Sequence, residues 1–310
     1  MPAPSLIIRS GSRGKFVREL QGVLNARRPI GSAPLAVDGV CGPATLTAAS
    51  RALGRPAVGP LDRADLARLG VDIVLLADLS GHNEGGNKRP VDPDLMAHDG
   101  VYGCWFKGTE GTSYVNREAK RQIDDAGHVM RRGGYHFADP SIDRRDFDVV
   151  ALDADARAEA SHYLRWRGDA FGGTGPELPD LIDFERGISQ RIGRQLLALA
   201  WTTARKHEAN ALWALALLGI VEQATGRRPW RYLPLWAFNA YFAKAPKHLL
   251  DAFAGYRNVV ASYNGGAGPE RIPPGSEDFG AWQCTGSGSI DGVDGRVDLS
   301  WALRKDLAHG

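Results

Sequence analysis

Eight short segments rich in β-branched and aromatic residues alternate with longer helix-like segments from Val71 onward. This alternation is typical of an α/β architecture with parallel strands, and eight strands are enough to close a barrel. The connections after Val259 are short and glycine-rich, so we expect the last strands to lack intervening helices. The predicted strands are DIVLLADLS, GVYGCWFKGTEG, RGGYHFAD, PDLIDFE, YLPLW, RNVVASYNG, FGAWQCTG and GRVDLS.

Polar side chains recur at or near the carboxyl end of these segments. Barrel enzymes assemble their active sites at that edge, because the loops that follow the strands converge there. The sequence therefore predicts a single cleft shared by residues from distant parts of the chain. These residues are Asp78, Glu110, His136, Asp183, Glu185, Tyr263, Gln283 and Asp298.

The segment LPDLIDFER carries two carboxylates separated by one residue. Successive strand side chains point to opposite faces, so Asp183 and Glu185 would share one face and Phe184 would occupy the other. An isolated pair of this kind is more often a solvated strand end than a site. The other acids predicted at the same edge favour a functional pair here.

Composition narrows the classes of partner. The 38 basic and 36 acidic residues nearly cancel, which does not indicate the concentrated basic face of a nucleic-acid binder. The cysteines Cys41, Cys104 and Cys284 lack metal-type spacing, so we expect reduced, buried thiols. The most apolar run, ALWALALLGIV, is too short to cross a bilayer and predicts a buried helix.

Residues 1–70 predict a small helical domain of three helices. The segments GSRGKFVRELQGVLNA and VDGVCGPATLTAASRAL have helical spacing of apolar residues, and VGPLDRADLARLG repeats the Gly-Pro opening. The pattern resembles the peptidoglycan-binding domain type one, which implies binding to the bacterial cell wall. Cys41 departs from it, since the family usually has an aromatic residue there. The matching residues are Gly11, Gly14, Val17, Leu20, Gln21, Leu24, Asp38, Gly39, Gly42, Pro43 and Thr45.

Residues 71–310 resemble glycoside hydrolase family 25, the Chalaropsis-type lysozymes. The resemblance implies a barrel of five β/α units followed by three strands, and cleavage of the β-1,4 bond after N-acetylmuramic acid in peptidoglycan. Two features depart from the pattern: Pro234 falls inside the fifth strand, and the segment between Glu185 and Pro229 is long. The matching stretches are ADLSGHNEG, FKGTEGTSYVN, GGYHFADP, LIDFE, VVASYNGG and WQCTGSGSIDGVDGRVDLS.

Carried over residue by residue, the resemblance implies that Glu185 is the general acid, Asp183 its partner, and Asp78 and Asp298 two further site aspartates. Crowded carboxylates repel one another, so the most desolvated one keeps a proton near neutral pH. We favour a substrate-assisted route in which Asp183 orients the 2-acetamido group. A covalent route through a carboxylate stays open.

Several other residues are candidates for substrate contacts. Trp105 and Trp236 are more typical of core packing. His136 has two interpretations: a hydrogen bond to a site carboxylate, or a buried histidine satisfied elsewhere. The substrate-binding candidates are Glu110, Tyr135, His136, Tyr263, Trp282 and Gln283.

Other functions are less well supported. A zinc peptidase would need clustered histidine ligands such as H-E-x-x-H, which the chain lacks. A non-catalytic wall-binding protein and a peptidoglycan amidase or peptidase remain the alternatives. We expect no metal or organic cofactor, no nucleic-acid partner and no membrane insertion. A wall hydrolase joined to a wall-binding domain, with no signal peptide evident, suggests a bacteriophage endolysin held in the host cytoplasm until lysis. A bacterial enzyme exported by another route is the alternative.

Overall fold

The computed structural model describes residues 5–56, 59–84, 88–142, 148–192, 195–197, 201–264, 266 and 268–308. Residues 193–194 and 198–200, in the long segment between Glu185 and Pro229, lie outside these ranges. The strands are β1 (Ile73–Leu79), β2 (Val101–Glu110), β3 (Tyr114–Val115), β4 (Arg131–Phe137), β5 (Ser141–Ile142), β6 (Leu181–Asp183), β7 (Ser189–Ile192), β8 (Gln195–Leu197), β9 (Trp230–Tyr232), β10 (Asn258–Ala261), β11 (Ala281–Gly288) and β12 (Val297–Leu303).

The α-helices are α1 (Lys15–Ala26), α2 (Pro43–Ala52), α3 (Arg63–Leu69), α4 (Pro93–His98), α5 (Ala119–Ala126), α6 (Val149–Phe171), α7 (Thr203–Thr225), α8 (Leu235–Tyr241), α9 (Lys247–Ala254) and α10 (Arg304–Leu307). Two 3₁₀ turns span Gly81–Asn83 and Gly172–Thr174.

Eight strands close into a barrel in the order β1, β2, β4, β6, β9, β10, β11 and β12. Neighbours are parallel as far as β11, and β12 then runs antiparallel to both β11 and β1. Helices follow each of the first five barrel strands, whereas the described residues between β10, β11 and β12 contain no helix. The mixed α/β barrel predicted from the sequence is confirmed.

The fifth barrel strand is shorter and earlier than YLPLW predicted. It ends at Tyr232, two residues before Pro234, and Pro234 is the N-cap of α8. Proline has no backbone N–H to donate to a neighbouring strand, so β9 cannot extend through it. The fifth strand is therefore present, but the prediction of its position is wrong: it begins two residues before YLPLW and ends at Tyr232.

The lower half of the barrel interior is solid. Trp105 and Trp230 fill it, with ring centroids 6.0 Å apart, and the Trp105 indole donates to the Pro179 carbonyl oxygen. Two glycines make room for these rings. A Cβ at Gly133 would lie 2.3 Å from Trp105, and one at Gly280 would lie 2.4 Å from Trp230. At the other end, formed by the strands' carboxyl termini, the described residues leave a cavity.

The helix that contains ALWALALLGIV is buried, as the sequence predicted. Trp213, Leu217, Leu218 and Val221 of α7 are almost completely inaccessible. Among the helices that the structure describes, none combines the length and the apolar character that crossing a bilayer requires. Cys41, Cys104 and Cys284 are free and buried, which confirms the expected state of the thiols.

Helix α1 packs directly on the outside of the barrel. The Phe16 ring lies 5.7 Å from Phe279 and 6.4 Å from Trp282, measured between centroids. The buried Lys15 ammonium donates to the Phe279 carbonyl oxygen at 2.6 Å and pairs with Asp278 at 2.8 Å and Asp306 at 2.9 Å. A buried lysine is tolerated when carboxylates neutralise it in this way.

The N-terminal helices thus cover the part of the barrel that has no β/α helices of its own. Trp282 on β11 and Trp301 on β12 point outward, where α1 and α3 cover them. Arg63 of α3 places its guanidinium 5.5 Å from the Trp301 ring centroid. We infer that α1 and α3 pack firmly on the outside of the barrel and do not form a loosely tethered module.

We expect Phe16→Ala to lower the free energy of unfolding by about 3–5 kcal/mol, the usual effect of deleting a buried aromatic ring. The measurement is denaturant unfolding followed by tryptophan fluorescence. Ile30→Ala is the control, because Ile30 is a fully exposed apolar residue of the same helical unit. A loss below 1 kcal/mol for Phe16→Ala would mean that this contact does not hold the two parts together.

Candidate active site

A cavity of about 220 Å³ opens at the carboxyl ends of the barrel strands. The tryptophan-filled interior lies beneath it, and Leu181 belongs both to that interior and to the cavity wall. Four carboxylates predicted from the sequence line it together. The lining residues are Asp78, Ser80, His82, Lys107, Tyr135, Phe137, Leu181, Asp183, Glu185, Tyr232, Gln283 and Asp298.

Asp183 and Glu185, the D-x-E pair, have the orientation that strand alternation predicted. Asp183 is the last residue of β6 and lies beside Phe137 and Tyr232 in the neighbouring strands. Phe184 points away from the cavity and packs edge-on against Phe253, with ring centroids 5.5 Å apart. The burial of Phe184 therefore fixes Asp183 and Glu185 on the cavity side.

Asp78 and Asp298 face each other across the seam that closes the barrel. They are directly opposed residues of the antiparallel strands β1 and β12. Desolvation raises the pKa of Asp78 well above its usual range, and the charge of Asp298 raises it further. Desolvation also raises the pKa of Asp298, to about 6. Two buried acids in this arrangement retain protons that solvated aspartates would lose.

The D-x-E pair shows the same effect. Desolvation raises the pKa of Asp183 well above its usual range, and the nearby Glu185 raises it further. Desolvation also raises the pKa of Glu185, against the polar contact with the Tyr232 hydroxyl, which acts to lower it. Oδ1 of Asp78 and Oδ1 of Asp183 are buried and receive no hydrogen bond from the described residues. The cavity can therefore both hold a proton and offer free carboxylate oxygens.

Lys107 brings a positive charge to these acids. It is 9% exposed, and its ammonium lies 2.7 Å from Glu110 and 4.5 Å from the Phe137 ring centroid. Its charge acts to lower the pKa of both Asp183 and Glu185. The ammonium thus offsets part of the repulsion within the acidic cluster.

Glu110 lies behind Lys107 rather than in the cavity wall. Arg186 binds its other oxygen at 2.8 Å and also pairs with Asp139 at 3.1 Å. Desolvation acts to raise the pKa of Glu110, but Lys107 and Arg186 outweigh it and hold the pKa below its usual range. Glu110 is therefore an ionised group that positions Lys107.

Gln283 connects two tyrosines to Asp78. Its side-chain oxygen accepts hydrogen bonds from the hydroxyls of Tyr232, at 3.0 Å, and Tyr263. This orientation leaves the Gln283 amide nitrogen to donate to Asp78. Tyr263 is 60% exposed at the rim, and Tyr135 lies within the cavity wall. The predicted positions of Tyr135, Tyr263 and Gln283 at the cleft agree with the structure.

His136 and Trp282 lie outside the cleft, contrary to the expectation for substrate contacts. His136 is buried on the outer side of β4, where it contacts Glu159 of α6 at 2.7 Å and Thr109 at 2.8 Å. Trp282 lies beneath Phe16. Strand alternation explains both corrections, because each is the neighbour of a residue that already faces the cavity.

Of the two tryptophans predicted in the core, only Trp105 is buried. Trp236, near the start of α8, is 54% exposed and contacts Tyr241 edge-on. The prediction of a core position for Trp236 is therefore wrong.

Sequence reasoning did not identify Lys107 and Tyr232 as site residues. A signal was present, because each follows an inward tryptophan, Trp105 or Trp230, by two residues and so shares its face. Among the described residues, no group of three or more His, Cys, Asp or Glu side chains has the arrangement of a metal site.

The sequence profile of Glycosyl hydrolases family 25 matches residues 78–293, more than two thirds of the chain. The chain belongs to this family. It is accordingly a glycoside hydrolase. Asp298 lies beyond the matched range, and its pairing opposite Asp78 is what brings it into the cavity.

Relatives of this family 25 enzyme agree with the assignment. It is similar to an N,O-diacetylmuramidase from Chalaropsis sp., with 26% identity over 210 residues that cover 66% of this chain and 87% of the relative. Two solved structures share the fold. A muramidase from Trichobolus zukalii has a TM-score of 0.53 at 19% identity, covering 76% of this chain and 98% of its own. A lysozyme from Aspergillus fumigatus has a TM-score of 0.52 at 20% identity, covering 76% and 99%.

Asp298→Asn should stabilise the family 25 enzyme at alkaline pH. The pKa of Asp298 is about 6 when folded, against 3.8 as its ordinary value. The stability that the protonated carboxyl contributes is complete below pH 3.8 and is lost as the pH rises through about 6. The neutral amide avoids this loss, so we expect a gain on the order of 1–3 kcal/mol at pH 8.

Urea unfolding of both proteins at pH 8 and pH 4 measures this difference. The gain should nearly vanish at pH 4, where the wild-type carboxyl is largely protonated when folded. A variant that is less stable than the wild type at pH 8 would contradict the desolvation of Asp298.

Lys107→Met should move the pH–rate profile to higher pH. Removing the ammonium removes an interaction that lowers the pKa of Asp183 and Glu185, so both values rise. The measurement is kcat/KM on soluble glycan strands between pH 4 and 9, with Lys107→Arg as the charge-conserving control. If Lys107→Met is less active but its pH–rate profile rises and falls at the same pH values as that of the wild type, Lys107 does not act through its charge.

Proposed function

We propose that this enzyme hydrolyses the β-1,4 bond between N-acetylmuramic acid and N-acetylglucosamine in bacterial peptidoglycan. The observation that carries the proposal is the desolvated Asp183–Glu185 pair, which shares one cavity with Asp78 and Asp298. Membership of family 25 and the similarity to a muramidase support the choice of substrate. The alternatives from other classes, a non-catalytic wall protein and a peptidase, do not account for four clustered acids at the open end of the barrel.

Glu185 is the general acid in this proposal. It follows the end of β6 and is only half-buried, so a sugar can reach its carboxyl, and desolvation keeps it protonated at higher pH than a solvated glutamate. It donates this proton to the glycosidic oxygen as the bond to the leaving sugar breaks. The resulting carboxylate then takes a proton from the water that attacks the sugar.

Asp183 supports the positive charge that develops on the sugar ring. Its free, buried Oδ1 atom suits either of two roles. In the substrate-assisted route, which we favour, it orients and stabilises the 2-acetamido group that attacks the anomeric carbon. In the covalent route, a carboxylate attacks that carbon itself. Asp78 and Asp298 set the local charge or contact the substrate.

Tyr135, Tyr263 and Gln283 are the proposed substrate-binding residues. Tyr135 lines the cavity, and the exposed Tyr263 offers a ring at its rim on which a sugar can stack. Glu110 acts indirectly by holding Lys107, whereas His136 and Trp282 have no part in binding.

The first 70 residues would bind the wall and raise the local concentration of the barrel on its insoluble substrate. Such a combination of binding and hydrolysis suits a phage endolysin that degrades the wall of its host at lysis.

Glu185→Gln should abolish clearing of a cell-wall suspension, since loss of a general acid typically slows the reaction by about 10²–10⁴-fold. The variant should still sediment with the walls. Glu277→Gln is a matched control on an exposed glutamate away from the cavity, and it should clear walls at the wild-type rate. If Glu185→Gln clears walls at the wild-type rate, Glu185 is not the general acid.

The groups released from purified peptidoglycan identify the bond that is cut. We expect new reducing ends on muramic acid. Reducing ends on glucosamine would instead indicate a glucosaminidase, and new free amines would indicate a peptidase. Binding without any new end group would favour the non-catalytic wall protein.

A further inference from the structure

A second and larger groove lies in the N-terminal helical unit, away from the barrel cavity. Its volume is about 490 Å³, and none of its lining residues lines the cavity of the carboxylates. Its apolar lining comes from α1, α2 and the connection between them and combines two leucines, Leu24 and Leu35, with alanines such as Ala48. Neither the Asp183–Glu185 chemistry nor the packing of α1 on the barrel uses this surface.

The groove has a fixed wall. The Asn25 side chain donates to the Leu35 carbonyl oxygen at 2.9 Å and accepts from the Leu35 N–H at 2.7 Å. These two hydrogen bonds attach the connection that follows α1 to the helix itself. The concave surface between this connection and α2 is therefore preorganised, which lowers the entropic cost of binding a ligand.

Three arginines, Arg27, Arg28 and Arg51, line the groove, and its lining contains no acidic residue. Arg27 donates to the Arg68 carbonyl oxygen at 3.1 Å. Among the described ion pairs, none involves any of the three. Exposed guanidinium groups without carboxylate partners are suited to bind carboxylates of a ligand, often through two hydrogen bonds at once.

The whole helical unit, like the groove, carries an excess of basic residues. Residues 1–70 contain ten Lys and Arg against four Asp and Glu, whereas residues 71–310 contain 28 against 32. The near-neutral total therefore combines a basic helical unit with an acidic barrel. An anionic part of the substrate would be attracted to the helical unit and repelled by the barrel.

We propose that this groove binds the peptide side chains of peptidoglycan, with Arg28 and Arg51 pairing with their free carboxylates. This inference rests on the proposed function, since it assumes that peptidoglycan is the substrate. The peptides combine small methyl side chains, which match the alanines of the lining, with carboxylates, which match the arginines. The barrel would then cut the glycan while the groove holds the peptide of the same polymer.

The test uses the full chain carrying Glu185→Gln, so that the walls stay intact during binding. Arg28→Gln with Arg51→Gln removes two charges from the groove. Arg157→Gln with Arg165→Gln removes two charges from exposed positions on α6 and is the matched control. Cosedimentation with sacculi stripped of teichoic acid measures the affinity, and thermal unfolding verifies that each variant is folded.

We expect the groove pair to weaken binding at least tenfold, about 1.4 kcal/mol, and the control pair to change it less than twofold. Ala48→Trp, which fills the groove without altering charge, should weaken binding as well. A free tetrapeptide, L-Ala-γ-D-Glu-L-Lys-D-Ala, should compete with the sacculi, and its fully amidated form should not.

Equal affinity for glycan strands freed of peptides would overturn the proposal. So would equal competition by the amidated peptide, binding that requires teichoic acid, or more effective competition by duplex DNA than by the tetrapeptide. The two proposals fail separately. With Glu185 intact, the groove pair should cut soluble peptide-free glycan at the wild-type rate, whereas failure of the wild type to cut it would refute the proposed function alone.

Discussion

Desolvation of carboxylates above a solid barrel interior is the physical constraint on which the site depends. Trp105 and Trp230 exclude water from below, so the acids at the open end are solvated from one side only. Burial is the largest cause of the raised pKa of Asp78, Asp183, Glu185 and Asp298. These reactive acids lower the stability of the enzyme, because ionising each of them in the folded state decreases the free energy of unfolding.

One short residue pattern links the sequence to this chemistry. A strand that alternates apolar and polar residues places its polar members on one face only, and barrel closure turns that face inward. The outward Phe184 holds the pair Asp183 and Glu185 in place from behind. Antiparallel closure by β12 then brings Asp298 to Asp78, although the two are 220 residues apart in the chain.

Much of the fold was predictable because apolar periodicity records which faces are buried. The number of barrel strands, the place of seven of them and the common face of Asp183 and Glu185 follow from it, whereas the fifth strand lies two residues earlier than predicted. It was harder to predict which individual side chains point into the cavity. Sequence reasoning proposed both Tyr135 and His136, and both Trp282 and Gln283, yet alternation allows only one of two neighbours to face the cavity. Deciding which one requires the register of the strand, which the sequence did not specify.

The position of the helical unit could not be predicted, because it depends on contacts between distant segments. The helical spacing of apolar residues in α1 indicated a buried face, but not that Phe16 would reach Trp282 on the barrel. Likewise, Lys15 reads as a surface residue until Asp278 and Asp306 are brought around it. This docking compensates for the missing outer helices at β11 and β12 and leaves the arginine-lined groove free.

The central claim is that burial keeps at least one proton on the carboxylate cluster near neutral pH. Titration of the ¹³C-labelled carboxyl groups of Asp and Glu by NMR, from pH 3 to 9, observes this proton directly. We expect at least one of Asp78, Asp183, Glu185 and Asp298 to remain protonated at pH 7, with assignment by Asn and Gln variants. Four carboxyl groups that all ionise below pH 5, as solvated acids do, would contradict the account.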